Sequence, residues 1–91
     1  MSYKEELGEI IDNLKQERDE LKVKIHLAKS DLQDEMQKLD KKFEEFRQKG
    51  SQALEAVDES GKEASETLKA VSNELKEGYR KIRETLGRIK P

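Results

Sequence analysis

The chain has 91 residues, 44% of them charged and 32% hydrophobic, with a net charge of −2 and neither cysteine nor tryptophan. This length limits it to one domain, and the low apolar content excludes a globular core that buries most of its residues. The missing cysteines exclude disulfides and zinc–thiolate sites, and the slightly acidic balance gives no global attraction to nucleic acid or anionic lipid.

The first twenty residues, MSYKEELGEIIDNLKQERDE, carry charges throughout. A signal peptide needs an apolar run, so we expect none here. No later stretch reaches the ~20 apolar residues of a membrane span. We therefore expect a cytoplasmic protein.

A single apolar stripe begins in this segment and continues at helical spacing to the end of the chain. Its steps of 3 and 4 residues average roughly 3.6, and extra steps of 4 interrupt the heptad at places such as Val71–Leu75–Tyr79. The only proline is Pro91, so the pattern predicts helix rather than the disorder that high charge alone suggests. The stripe defines an interaction seam comprising Leu7, Ile11, Leu14, Leu21, Ile25, Leu32, Leu39, Phe43, Phe46, Leu54, Val57, Leu68, Val71, Leu75, Tyr79, Ile82 and Leu86.

The interaction seam is mostly one residue wide. Glu–Lys pairs on the other faces, such as Glu20–Lys24, each contribute only about 0.2–0.5 kcal/mol. A long helix with so narrow a stripe is stable in water only when the stripe packs against another one. The sequence therefore predicts pairing of helices within the chain and between chains.

A bend is expected within residues 49–61, where Gly50-Ser51 and Ser60-Gly61 flank a short apolar piece. Basic residues before Gly50 favour a helix C-terminus, and Ser51 can cap a second helix. Ser60 and Glu63 form a possible capping box. Both glycines also fall on the stripe, so an unbroken helix with small residues there is a third alternative.

Charge distribution favours antiparallel pairing of the two ends. Residues 5–20 hold seven acidic and two basic residues, whereas residues 80–90 hold five basic and one acidic. A bend at Gly50-Ser51 places these segments side by side, but a bend at Ser60-Gly61 leaves much of the acidic segment unpaired. We therefore prefer the bend at Gly50-Ser51.

The segment SGKEASETLKAVSNELKEGYRKI, residues 60–82, follows a charged stretch of 59 residues. In this arrangement the chain resembles a loose group of small, uncharacterised bacterial coiled-coil proteins, in which a long charged helix leads through a Ser-Gly junction to an amphipathic helix. The resemblance implies a bend near residue 60 and brings no known activity.

Few residues are candidates for chemistry. His26 is the only histidine and lies at the edge of the stripe, where a solvated side chain is the usual outcome. Asp31, Asp34 and Glu35 share a helix face that we interpret as solvated rather than as a cation site. We predict no catalytic, cofactor-binding or metal-binding residues and no cofactor, because a helical pair offers no enclosed pocket.

Arg18 interrupts the stripe and has two interpretations. Its aliphatic stem can lie on the seam with the guanidinium in water, or it can set the register by pairing with an acid across the interface. Phe43 and Phe46 similarly suit either the core at the bend or an exposed site for a partner.

The sequence thus predicts an all-α fold, an antiparallel two-helix hairpin that forms one coiled-coil domain over residues 1–91. We expect a non-enzymatic structural or scaffolding protein that forms a dimer or four-helix assembly, or binds another helical protein. The alternative is membrane-surface binding through the amphipathic residues 64–89, although the narrow apolar face disfavours it. Nucleic-acid binding by residues 80–90 is not expected, because aromatic platforms are missing.

Overall fold

The computed structural model describes residues 2–26, 28–56 and 59–88, apart from the side chains of residues 59 and 60. Over these ranges the chain forms three helices and no strand. They are α1 (Tyr3–Ile25), α2 (Ser30–Glu55) and α3 (Glu59–Arg88). The all-α prediction is confirmed, whereas the two-helix hairpin is wrong because the N-terminal half contains a break that was not expected.

Helix α1 begins with the capping pattern that its sequence allows. Ser2 is the N-cap, and its hydroxyl accepts a hydrogen bond of 3.3 Å from the backbone N–H of Glu5. Acidic residues occupy the first turn and Lys22 and Lys24 occupy the last, which suits the helix dipole at both ends.

The unexpected break lies between Ile25 and Ser30. The side-chain amide of Gln33 donates hydrogen bonds to the carbonyls of Ile25, at 3.4 Å, and Ala28, at 3.2 Å. These bonds tie α2 to the end of α1, where the Ile25 carbonyl also accepts from the backbone N–H of Ala28 at 3.0 Å. Because the chain folds back here, the narrow stripe of α1 packs against two neighbouring helices. A continuous first helix in a two-helix hairpin would have only one neighbour.

The second break does lie within residues 49–61, but at neither of the two predicted glycine–serine pairs. Helix α2 ends at Glu55, Ala56 is extended, and α3 begins at Glu59. Gly50 is therefore inside α2 and Gly61 inside α3. The predicted cap by the side chain of Ser60 lies outside the described residues.

Contacts between side chains establish the helix directions. Arg18 meets Asp40, and a Cβ built at Gly50 would touch Ile11, so α1 and α2 run antiparallel. Leu39 lies against Gly78, and Ala53 against Gly61, so α2 and α3 also run antiparallel. The fold is an up–down–up bundle with overall dimensions of 51 × 22 × 18 Å.

Because the chain reverses twice, α1 and α3 run parallel. Glu6 pairs with Lys69, and Glu17 pairs with Arg83. The predicted attraction between the acidic start and the basic end is thus present at Glu17 and Arg83. The predicted antiparallel arrangement of those two segments is wrong, because an additional reversal lies between them.

Gly61 lies where the start of α3 packs closely against the end of α2. A Cβ at this position would lie 2.9 Å from the carbonyl oxygen of Ala53 and 2.8 Å from the Cβ of Ala56. Neither is the mobile end of a long side chain. Gly61 therefore permits close packing, although the unbroken helix of the third alternative is wrong because the chain breaks between Glu55 and Glu59.

Replacing this glycine should separate the two helices. We expect Gly61→Ala to lower the free energy of unfolding by about 1–3 kcal/mol, because the added methyl group overpacks the contact. Gly8→Ala is the matched control. Nothing lies within 4 Å of its Cβ position, so the better helix propensity of alanine should raise stability by about 0.5–1 kcal/mol. Urea unfolding measures both changes, and a stabilised Gly61→Ala would contradict the close approach.

Candidate functional site

The interaction seam is the natural candidate site, and in this structure it faces the inside of the bundle. Ten of its members are buried in one hydrophobic core: Leu7, Leu14, Leu21, Ile25, Phe43, Phe46, Leu68, Leu75, Tyr79 and Ile82. Six are half-buried and pack against that core: Ile11, Leu32, Leu39, Leu54, Val71 and Leu86. Val57 lies outside the described residues.

The core also contains residues that the seam prediction omitted. They are Met36, Ala53, Ser65 and Ser72, all of them buried. In α3, the positions Ser65, Ser72 and Tyr79 repeat every seven residues beside Leu68, Leu75 and Ile82. The stripe of apolar residue types passes through Val71 instead of Ser72 and so contains an extra step of 4 there. Heptad spacing alone, without regard to polarity, identifies the serines.

Arg18 forms the centre of a polar cluster between α1 and α2. Its Nε donates to Oδ1 of Asp40 at 3.0 Å, and Lys22 approaches Oδ2 of the same carboxylate at 3.3 Å. The guanidinium lies 5.1 Å from the centre of the Phe43 ring, at cation–π distance. Of the two interpretations of Arg18, the structure shows the pairing with an acid across a helix interface. The partner belongs to the same chain.

Phe43 and Phe46 are both buried, with ring centroids 6.4 Å apart. They lie in the middle of α2, whereas the sequence placed them at a bend. Of their two interpretations, the structure shows ordinary core packing. They are the largest fully buried side chains of α2.

Ion pairs also fasten the other side of α1. Glu6 accepts from Lys69 and Glu17 accepts from Arg83, so both acids bind basic residues of α3. The hydrogen bond and charge of Lys69 hold the pKa of Glu6 below its ordinary value. In α2 the pKa of Glu44 is also lowered, chiefly by its hydrogen bond from Arg47. Helix α1 is thus bound to both neighbours through charges as well as leucines.

Two buried hydroxyl groups contrast with these satisfied charges. Neither Oγ of Ser65 nor Oη of Tyr79 has a hydrogen-bond partner within the described part of the chain. Burial, with the nearby charge of Asp40, raises the pKa of Tyr79 above its ordinary value. An unsatisfied buried hydroxyl costs about 1–3 kcal/mol, so both groups reduce the stability of this closed bundle.

The apolar face of α3, which suggested membrane binding, is directed at α1 and α2. Leu68, Leu75, Tyr79 and Ile82 are all buried there, so contact with lipid would require the bundle to open. No described helix is long and apolar enough to cross a membrane. Among the described residues, no group of three potential metal ligands is brought together, and His26 is exposed.

Comparison with known proteins adds no relative. No family model, curated protein or solved structure matches this chain significantly. The resemblance to small bacterial coiled-coil proteins therefore stays a prediction, and only the chain's own contacts bear on its function.

The two buried serines offer a direct test of the unsatisfied hydroxyl. Ser65 is 0% exposed and unpaired within the described residues, whereas Ser72 is 1% exposed and donates to the carbonyl of Lys69 at 2.6 Å. Substitution by alanine improves helix propensity equally at both positions. We therefore expect Ser65→Ala to be more stabilising than Ser72→Ala, by about 1 kcal/mol. Equal effects in urea unfolding would mean that the Ser65 hydroxyl is satisfied.

A double-mutant cycle tests the interhelical cluster. The variants Arg18→Met, Asp40→Asn and their combination should give a coupling energy of about 1–3 kcal/mol, because the pair is largely shielded from water. The matched pair is Arg80–Glu77, which lies on the exposed face of α3 at 2.6 Å. Its coupling should be below about 0.5 kcal/mol despite the shorter distance. Similar couplings in the two cycles would show that the Arg18 cluster does not orient α1.

Proposed function

We propose that the protein is a non-enzymatic structural or scaffolding protein that works by packing helices together, with further copies of itself or another helical protein as partner. The observation that supports this proposal is the way α1 is bound. Its contacts with the α2–α3 pair consist of one leucine column, the isoleucines beside it and a few ion pairs. An amphipathic helix with the same spacing and matching charges fits the same face.

The leucine column comprises Leu7, Leu14 and Leu21, one residue in each heptad. Full burial of one leucine contributes about 1.5–3 kcal/mol, whereas ordering each backbone residue costs about 1–2 kcal/mol. A helix of 23 residues held in this way is replaceable. A partner helix that supplies the same column and the same charges can occupy the same face.

Self-association follows from the same surface. When α1 is displaced, Phe43, Leu75 and Tyr79 lose part of their cover, and a second chain can supply it. A dimer or a four-helix assembly is the expected product, and a cytoplasmic location is part of the proposal. The amphipathic residues of α3 would bind a lipid surface only through the same opening, and no contact in the bundle favours that alternative.

Concentration dependence tests the proposal. We expect the thermal midpoint and the mass from light scattering to rise together over a hundredfold concentration series, because association stabilises the folded chain by mass action. Circular dichroism should show the same helix content with and without anionic vesicles. A constant midpoint at monomer mass would contradict self-association, and helix that forms only with vesicles would support the lipid alternative.

Two substitutions in α3 serve as controls for the seam. Leu75→Asp places an unpaired charge among buried side chains and should lower the free energy of unfolding by several kcal/mol. Glu66→Lys changes an exposed side chain on the opposite face and should alter the free energy of unfolding by less than about 0.5 kcal/mol. Equal effects would mean that the seam is assigned to the wrong face.

A further inference from the structure

The connection between α1 and α2 lacks the residues that normally end a helix. Residues 26–29 read His-Leu-Ala-Lys, with no glycine and no proline. Lys29, the N-cap of α2, makes no side-chain capping hydrogen bond, and His26, the C-cap of α1, keeps the backbone angles of a right-handed helix. Cap positions usually carry glycine, serine, threonine, aspartate or asparagine. The reversal therefore depends on tertiary contacts and on the amide of Gln33.

The same connection suits a continuous helix. Alanine, leucine and lysine are among the best helix formers. The apolar spacing also continues through the break, from Leu21 and Ile25 to Ala28 and Leu32, in steps of 4, 3 and 4. A straightened connection thus satisfies both the backbone preference and the heptad pattern, and it gains helical hydrogen bonds that the reversal lacks.

On the basis of the proposed function, we propose that two copies of the chain exchange α1. In each copy α1 and α2 join into one continuous helix, and α1 packs on the α2–α3 pair of the second copy. The contacts of α1 are kept in this domain-swapped dimer. Arg18 of each chain meets Asp40 of its partner, and the leucine column occupies the same core. Short hinge loops favour such exchange.

The geometry of the closed bundle agrees with the exchange. Because α1 and α2 are antiparallel, the two joined helices of the dimer also run antiparallel. The two-fold axis of the dimer passes through the midpoint of each pair of contacting positions. The midpoints of positions 18 and 40 and of positions 11 and 50 both lie close to Ser30. Ala28 of one chain then lies near Leu32 of the other. Both residues are only half-buried in the closed chain, so dimerisation covers additional apolar surface.

A second copy is the partner that the contacts favour. The α2–α3 pair offers Asp40 to Arg18, Lys69 to Glu6 and Arg83 to Glu17. A foreign helix would need the same leucine column and three matching charges at these positions. The chain's own α1 supplies all of them, and exchange conserves every pair.

Distances within one chain distinguish the closed and exchanged forms. Spin labels on Asp12→Cys and Gln48→Cys, both exposed positions in a cysteine-free chain, are measured in doubly labelled protein diluted with unlabelled protein. In the closed bundle the two labels lie within about 25 Å, since its cross-section is 22 × 18 Å. In the joined helix they are about 54 Å apart at 1.5 Å per residue. Light scattering of the same samples gives the mass.

We expect the dimer fraction to show the long distance and the monomer fraction the short one. Small-angle X-ray scattering should agree, because the joined helix from Tyr3 to Glu55 is about 80 Å long, against 51 Å for the closed bundle. A dimer that keeps the short distance would overturn the exchange and leave the proposed self-association standing. A monomer at every concentration would overturn both.

Ser30→Pro provides a variant that should block exchange without harming the closed bundle. Ser30 is the first residue of α2, where proline is well accepted, and Lys29 before it has φ −64° and ψ 157°, the extended conformation that proline requires of its predecessor. In the joined helix, however, the same proline would be internal. We expect a dimer weakened by about a hundredfold or more, with an unchanged monomer. Ser30→Ala should dimerise like the wild type, and a Ser30→Pro dimer of wild-type affinity and long label distance would overturn the exchange.

Discussion

The narrowness of the apolar stripe is the constraint on which the structure depends. A stripe of one residue per helical turn can pack against a single neighbour, as in a two-stranded coiled coil, but part of each side chain then remains at the edge of the contact. Three helices remove this difficulty, since every stripe then faces two others. The leucines at positions 7, 14 and 21 are between 0% and 2% exposed as a result. The reversal between Ile25 and Ser30 follows from this packing rather than from a strong local stop signal.

Polar groups within the core determine how the three stripes align. Arg18 occupies a position that an aliphatic residue could fill, and its bonds to Asp40 fix the level at which α1 meets α2. A buried or half-buried ion pair adds little net stability compared with apolar packing, but it penalises a shifted register. The unsatisfied hydroxyl groups of Ser65 and Tyr79 lower stability further. The closed bundle is therefore well defined in register but not optimised in energy.

The repeat of seven residues predicted helix and most of the buried positions, because periodicity depends on backbone geometry alone. Local signals were less informative about where the helices end. Gly50 and Gly61 were expected to break the chain, but they permit close helix contacts instead. The break after Ile25 has no glycine, proline or strong cap, so no local rule indicates it. Tertiary packing determines the position of this break, and one sequence alone does not show which packing arrangements of the helices compete. Polar core members such as Ser72 lie outside the predicted seam for a different reason, because hydrophobicity does not mark them.

This conflict between local preference and tertiary packing connects the fold to the proposed function. When local and global preferences agree, a protein has one well-separated native state. Here the residues around Ala28 prefer to continue the helix, whereas the leucine column of α1 is buried only when it packs on an α2–α3 pair. Both demands can be met only when that pair belongs to another chain. An α1 that is bound through replaceable contacts, next to a connection that favours extension, gives this protein a physical basis for assembly.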